Sequence, residues 1–147
     1  MSGMDAQDAQ DARIAAIVGD GEESTFDEGA EKFYQHLKLS LQLPCDVTGI
    51  EDFRWEEYWV IGPGDPKEYE RLRRTQPSYR DTFELLAIEK DVYSEWMLFH
   101  DDLAGHVRRK SDGKEFHLGL AEIKDVDKKS KNYQLLDDFA FWLVNNR

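Results

Sequence analysis

The sequence has few of the residues on which disulfide-bonded, secreted or membrane-spanning proteins depend. Cys45 is its one cysteine, so no intramolecular disulfide or cysteine zinc cluster can form, and a reducing cytoplasm is the expected compartment. No apolar run approaches the roughly 20 residues of a membrane span, and the N-terminus lacks the basic start and apolar run of a secretory signal. These absences predict a chain with no membrane partner.

Positive charge is also scarce. The chain carries 19 Lys and Arg residues against 31 Asp and Glu residues, a formal net charge of -12. A surface of this sign repels phosphate backbones and attracts cations and basic proteins. The short basic runs from Arg71 to Arg74 and from Arg108 to Lys110 are expected to pair with the acidic surface. The charge therefore predicts no nucleic-acid partner and favours a divalent cation, with a basic protein as a second class of partner.

The sequence motifs of common catalytic sites are missing as well. Cys45 follows Leu43-Pro44 with no glycine-rich elbow or helix start that would activate its thiol, and no serine lies in a G-x-S-x-G motif. Gly62-Pro63-Gly64 lacks the Lys-Ser/Thr pair of a phosphate-binding loop. We therefore expect a binding protein rather than an enzyme.

Apolar residues are plentiful enough for one folded unit. Of 147 residues, 40% are hydrophobic and 12% are aromatic, which predicts a packed core. Residues 1–12, rich in Asp and Gln, are predicted to be a disordered tail, and residues 13–147 a single domain. The apolar run over 13–18 fits either a helix or a strand.

Helix signals stand in the first third of the sequence and at its end. Thr25 and Glu28 fit a capping box that opens a helix over about 26–42, which Pro44 terminates. Ser130 is available as the cap of a closing helix. The broad apolar face of that helix comprises Tyr133, Leu135, Leu136, Phe139, Ala140, Trp142 and Leu143.

Strand signals fill the region between these helices. Apolar and aromatic residues predict two strands over 45–62, a short helical turn over 67–76 and a buried strand over 82–88. Residues 103–123 resemble a hairpin around Asp112-Gly113, a favoured two-residue turn. The order of elements predicts an α+β fold: a small antiparallel, barrel-like sheet with an N-terminal and a C-terminal helix packed against it.

The hairpin also gathers histidines. A two-residue turn pairs Ser111 with Lys114 and places His117 opposite Arg108. The same strand face would carry His100, Asp102 and His106. This set raises the possibility of a zinc site, but the Arg108 cation would repel the metal, so a solvated polar face is the favoured interpretation.

Carboxylates are the remaining candidates for a site. They crowd the start of the first helix and the approach to the last one, at Asp20, Glu22, Glu23, Asp27, Glu28, Asp125, Asp127, Asp137 and Asp138. Calcium takes six to eight oxygen ligands, which a loop beside helix-borne acids can supply. The loop is not an EF-hand. With Asp125 as position 1, position 6 is Ser130 rather than Gly and position 12 is Leu136 rather than Glu.

Two segments resemble the small acidic calcium-binding protein family of filamentous cyanobacteria. They are the aromatic-rich helix Glu28-x-Ala-x-x-Phe-Tyr-x-x-Leu-x-x-x-Leu-Gln-Leu-Pro44, and Leu120-x-x-Ile-x-x-Val-Asp127 followed by Leu136-x-Asp138-Phe-x-Phe-Trp142. The resemblance runs from Arg13 to about Trp142, with a longer, dissimilar middle over 46–100. It implies a compact α+β fold and calcium held by surface carboxylates.

The resemblance also suggests particular ligands. Asp127 and Asp138 match the family's pattern, and we add Asp125 and Glu28 on proximity. Lys38 and Lys129 stand where the family tends to carry acids, and a cation beside a calcium site lowers affinity. The leading hypothesis is a non-enzymatic calcium-binding domain, a sensor or a buffer. The alternative is an acidic protein-interaction module with a degenerate metal site.

Overall fold

The chain folds into five helices and a five-stranded antiparallel sheet, as seen in a computed structural model that describes residues 5–19 and 25–147. The helices are α1 (Ala6–Val18), α2 (Phe26–Ser40), α3 (Glu57–Val60), α4 (Pro66–Leu72) and α5 (Lys131–Asn146). The strands are β1 (Cys45–Gly49), β2 (Thr82–Glu89), β3 (Ala104–Arg109), β4 (Glu115–Gly119) and β5 (Ile123–Asp125). The predicted α+β class is confirmed, and no helix within the described ranges is long and apolar enough to cross a membrane.

The strands lie in the order β4-β3-β2-β1-β5, and each pair of neighbours is antiparallel. Over the described residues this sheet is open, with β4 and β5 at its edges. The expected antiparallel sheet is therefore present. Within the described ranges its edge strands β4 and β5 do not pair with each other, so the sheet does not close into a barrel.

The core lies between one face of the sheet and the helices α2 and α5. Phe33 and Leu37 of α2 and Leu136 of α5 are fully buried. Strand side chains that alternate inward complete the cluster, namely Val47, Phe83, Leu85, Val107, Leu118 and Ile123. Aromatic contacts join the two helices, because the Phe33 ring meets that of Phe139 edge to face at 5.5 Å. The predicted helical faces are thus the faces that pack.

The predicted helix caps are formed. The Thr25 side chain accepts a hydrogen bond from Glu28 N at 3.2 Å, and Ser130 Oγ accepts one from Tyr133 N at 3.0 Å. Each cap satisfies one of the backbone N–H groups that a helix start leaves without a partner. These local bonds place the starts of α2 and α5 where the sequence predicts them.

The N-terminal segment differs from the prediction. Residues 6–12, expected in a disordered tail, form the first turns of α1, whose N-cap Asp5 accepts a hydrogen bond from Asp8 N at 2.7 Å. Gln10 is buried, at 8% exposure, although the sequence around it is polar. These residues are therefore helical rather than disordered, and Gln10 Nε2 donates to Asp137 Oδ2 at 3.1 Å and to Asp138 Oδ1 at 3.0 Å on α5. Residues 1–4 of the predicted tail lie outside the described residues.

The second strand predicted within 45–62 is also wrong. A 3₁₀ turn over Arg54–Glu56 and the short α3 occupy its place. The cause is Glu56, whose carboxylate is completely buried and collects hydrogen bonds from several donors. These donors are Phe53 N, Tyr69 Oη, Ser78 Oγ and Tyr79 N. Such tertiary bonds override the strand preference of the aromatic residues nearby.

The β3-β4 hairpin has a register two residues away from the predicted one. His106 lies opposite His117, and Arg108 lies opposite Glu115. Arg109 N donates to Lys114 O at 2.7 Å, which leaves a four-residue loop over 110–113 instead of a two-residue turn. The Asp112 carboxylate accepts two hydrogen bonds from the Arg109 side chain, which holds this longer loop in place.

Candidate metal centres

The acidic loop predicted to bind calcium joins β5 to α5. Asp125 ends β5 and is buried, and its Oδ1 accepts a hydrogen bond from Asp127 N at 2.7 Å. Asp127 is exposed, and its Oδ1 accepts from Lys129 N at 3.0 Å. These Asx turns hold two carboxylates in one loop, and each carboxylate retains lone pairs for a cation. The structure therefore places these two predicted ligands in one loop, with Asp125 buried and Asp127 exposed.

Asp138 lies on α5 in a different setting. Its side chain is 2% exposed and forms a two-pronged ion pair with Arg13 of α1. Arg13 Nε lies 2.8 Å from Oδ2 and Arg13 Nη2 lies 3.0 Å from Oδ1, while Gln10 Nε2 donates to Oδ1 at 3.0 Å. Hydrogen bonding to Asp138 also raises the pKa of the Arg13 guanidinium. Asp138 therefore already has a cation bound to both oxygens.

Glu28 is exposed in the first turn of α2. The neighbouring acids Asp20, Glu22 and Glu23 lie outside the described residues. Within the part of the chain that the structure describes, the four predicted calcium ligands belong to no group of three possible ligand atoms lying within 4.8 Å of one another. Glu28, Asp125, Asp127 and Asp138 stay predicted ligands, and a calcium ion would have to draw them closer.

An acidic cavity of about 600 Å³ lies between α2 and the segment joining β2 to β3. The carboxylates along its wall are those of Asp27, Glu31, Asp91, Asp101 and Asp102. Two of them are paired, because Lys90 Nζ lies 2.9 Å from Glu31 Oε2 and Arg147 Nε lies 3.0 Å from Asp101 Oδ1. The excess of carboxylates gives the cavity a field that favours cations.

The carboxyl groups of the buried Asp102 and the half-buried Glu122 flank Gly119 near this cavity. Asp102 Oδ2 accepts a hydrogen bond from Ala121 N at 3.1 Å, and Glu122 Oε2 accepts one from Leu98 N at 3.0 Å. A Cβ atom at Gly119 would lie 2.6 Å from Asp102 Oδ2, so any other residue here would displace the carboxyl groups beside it. Burial raises the pKa of Asp102 well above its ordinary value and also raises the pKa of Glu122. Burial thus favours the neutral acids, which bind cations less well than carboxylates do.

A separate cluster of possible metal ligands lies on the sheet. It comprises Glu89, His106 and His117, whose ligand atoms all lie within 4.8 Å of one another. The zinc site considered from the sequence contained His106 and His117 but not Glu89. It also contained His100 and Asp102, which line the acidic cavity instead. The cluster became visible only with the observed strand register.

Cys45 has the properties of an inert thiol. Burial raises its pKa to about 11, and the charge of Asp125 acts in the same direction. A thiol with this pKa carries almost no thiolate near neutral pH, and thiolate is the reactive form. This agrees with the absence of a nucleophile motif in the sequence.

Comparisons with known proteins reveal similarity at the level of structure. No protein-family model and no curated protein matches the sequence. The crystal structure of Anabaena CcbP superposes with a TM-score of 0.58 at 17% identity, over 97% of this chain and 95% of that chain. A calcium binding protein in the calcium-binding form superposes with a TM-score of 0.59 at 19% identity, over 99% of this chain and 97% of that chain. At these identities the likeness establishes a shared fold.

Proposed function

We propose that this chain is a non-enzymatic cytoplasmic domain that binds Ca²⁺ through surface carboxylates, as a sensor or a buffer. The observation that carries the proposal is the fold, shared along almost the whole chain with two solved structures, one of them a calcium binding protein in the calcium-binding form. The net charge of -12 supports it, because an acidic surface raises the local concentration of cations.

The loop that contains Asp125 and Asp127 is the proposed centre of the site. Calcium requires six to eight oxygens and accepts carbonyls and waters alongside carboxylates. The loop offers two carboxylates held in adjacent Asx turns, and Asp127 is exposed to solvent. Ligands beyond these two would come from loop carbonyls, water, Glu28 and Asp138. Asp138 joins the site only where Arg13 gives up its bonds to that carboxylate.

The second candidate function is an acidic module that binds a basic protein. The ion pair between Arg13 and Asp138 is the specific observation in its favour. Asp138 matches the calcium-binding pattern, but the Arg13 guanidinium already binds both oxygens of its carboxylate. A basic side chain of a partner would contact the exposed acids in the same way. Such pairs at the surface contribute little individually and depend strongly on salt.

Calorimetric titration with CaCl₂ tests the first candidate against the second. We expect saturable binding in the micromolar to millimolar range, as for calcium sensors and extracellular modules, and a rise in the melting temperature with calcium. Asp127→Asn should weaken binding by about tenfold, which corresponds to about 1.4 kcal/mol.

Glu57→Gln is the matched control, because it removes one negative charge at an exposed position in the first turn of α3. This variant should bind calcium as the natural chain does. Absence of heat and of a thermal shift at millimolar calcium would contradict calcium binding. Equal weakening by Asp127→Asn and Glu57→Gln would show that only the net charge of the surface matters.

A further inference from the structure

We propose that Glu89, His106 and His117 form a site for Zn²⁺ or a similar transition-metal ion, on the face of the sheet that points away from the core. This site is separate from the carboxylates of the proposed calcium site and is independent of that function. One side chain comes from each of β2, β3 and β4. Its ligands are mainly nitrogen, so it differs in chemistry as well as in place.

The strand register brings the two histidines together. His106 and His117 are direct cross-strand partners, and their rings stack with centroids 4.9 Å apart and planes 17° from parallel. Their sequence neighbours Val107 and Leu118 are buried, so the imidazoles lie on the opposite, solvent-facing side of the pleat. Two imidazoles this close together can coordinate the same metal ion.

A β-bulge supplies the third ligand. The register of β2 against β3 shifts between Leu85 and Ala87, after which Ala87 pairs with His106. This shift gives Glu89 the same outward direction as His106, and its Oε2 lies 3.3 Å from His117 Nε2. Bulges commonly redirect side chains at functional sites.

The distances suit a tetrahedral ion. Ligand atoms about 2.0–2.1 Å from zinc at tetrahedral angles lie about 3.4 Å from each other. The Glu89 to His117 distance of 3.3 Å already has this value, and the full set lies within 4.8 Å. The side chains of Glu89, His106 and His117 are 37%, 29% and 36% exposed, so small rotations can close the remaining gaps without disturbing the core.

The neighbouring charges favour a cation. Arg108, the residue expected to repel a metal, is paired with Glu84 and lies opposite Glu115 rather than His117. Glu115 Oε1 lies 2.6 Å from His106 Nε2 and adds a second carboxylate to the cluster. Carboxylates that contact ligating histidines orient the ring and strengthen metal binding.

The ligand types separate this site from a calcium site. Two imidazoles and one carboxylate suit zinc, copper, nickel or iron, whereas calcium requires six or more oxygens. Three protein ligands leave one tetrahedral position for water. We therefore expect Zn²⁺ to bind here in the presence of millimolar Ca²⁺.

Titration with ZnCl₂ in excess CaCl₂, followed by calorimetry and by NMR of the imidazole rings, tests the site. The chain has 4 histidines, so each ring can be followed. We expect one Zn²⁺ per chain, with shifts of the His106 and His117 signals and unchanged signals from His36 and His100. Shifts of His36 or His100 in place of His106 and His117 would overturn the proposal.

Variants supply the second arm of the test. His117→Gln and Glu89→Gln should each weaken zinc binding by on the order of a hundredfold or more, because loss of an outer partner alone costs about 10- to 100-fold. Glu115→Gln should cost about tenfold. The controls His100→Gln and Asp127→Asn should bind zinc as the natural chain does.

The controls keep the result interpretable. His117 and Glu89 are partly exposed, so their variants should fold, which circular dichroism in EDTA verifies. If either His117→Gln or Glu89→Gln fails to fold, the remaining variant and the imidazole NMR of the natural chain still test whether zinc binds at this site. Unchanged zinc affinity in Glu89→Gln, or an equal loss in His100→Gln, would show that zinc binds the acidic surface instead.

Discussion

Asp112 and Asp102 show how the surroundings of a carboxyl group change its pKa in opposite directions. Asp112 is partly exposed, and hydrogen bonding to the Arg109 guanidinium lowers its pKa to about 2. Asp102 is buried and accepts hydrogen bonds from backbone N–H groups, and burial raises its pKa well above the ordinary 3.8. The first carboxylate stabilises the fold when charged, and the second when neutral.

Asp102 should therefore give the fold a specific pH dependence. Below the unfolded-state pKa, near 3.8, the group is protonated in both states and its full stabilisation is present. As the pH rises from there through the raised pKa of the folded state, the unfolded chain releases its proton first and stability falls. Asp102→Asn keeps an acceptor for Ala121 N but cannot ionise. We expect urea unfolding to show a more stable variant near pH 7 and little difference near pH 4.

The control for this prediction is Asp91→Asn. Asp91 lines the same cavity, is exposed, and has a φ of 60°, a conformation that asparagine tolerates. Its substitution should alter stability little at either pH. A loss of stability in Asp102→Asn that is the same at both pH values would mean that the Asp102 carboxyl is needed for its shape and hydrogen bonds alone.

At the scale of elements, α2 and α5 meet through a glycine and a tryptophan. A Cβ atom at Gly29 would collide with the Trp142 ring, so the absence of a side chain lets the indole lie directly on α2. There Trp142 stacks on Phe26, with ring centroids 5.2 Å apart and planes 13° from parallel, and it also contacts Phe33. This contact docks the last helix of the chain.

Trp142→Ala should accordingly destabilise the domain. The side chain is 5% exposed, and truncation of large buried aromatics costs roughly 3–5 kcal/mol. Val144→Ala is the control on the same helix, since Val144 is 57% exposed and such surface changes cost about 0.5 kcal/mol or less. Denaturant unfolding measures both. If the two variants were equally stable, α5 would not depend on this ring for its docking.

Helices α2 and α5 were predictable because their signals are local. The side chains of Thr25 and Ser130 cap α2 and α5, and an apolar stripe along each helix indicates the buried face. The turn over Arg54–Glu56 was not predictable, since its cause is the buried carboxylate of Glu56 and donors up to 23 residues away. Contacts of that kind leave no local pattern in a sequence.

The candidate sites were predictable to different degrees. The loop of Asp125 and Asp127 follows directly from the acids in the sequence. The Arg13 partner of Asp138 could not be foreseen, because its helix begins in a segment with the composition of a tail. The ligand from Glu89 depends on a bulge, and an error of two residues in the hairpin register changes the partner of His117 from His106 to Arg108. Registers depend on loop geometry that composition does not specify.

At the scale of the whole molecule, local and overall charge would both affect the affinity of the proposed calcium site in the acidic loop. Lys129→Asp places an acid where the calcium-binding pattern tends to have one. It should tighten calcium binding by about tenfold, or about 1.4 kcal/mol, because the substitution replaces local repulsion of the ion with attraction. Calorimetric titration measures the change.

Lys67→Asp is the matched control. It makes the same change in net charge at an exposed position in the first turn of α4, away from the acidic loop. Calcium affinity should change much less in this variant, since salt screens distant surface charges. Equal gains from the two substitutions would contradict a localised site and leave diffuse attraction of counterions as the explanation.

The ion pair between Arg13 and Asp138 has a consequence for any calcium ion that uses Asp138. The guanidinium is then an intramolecular competitor, tethered to the carboxylate through the fold. Dilution of the protein does not dilute a tethered competitor. The Arg13 guanidinium therefore lowers the apparent affinity for calcium by a factor that does not depend on protein concentration. By thermodynamic reciprocity, calcium at Asp138 would loosen the hold of α5 on the N-terminal helix to the same degree. Arg13→Gln should therefore lower the calcium concentration at half-saturation in a calorimetric titration.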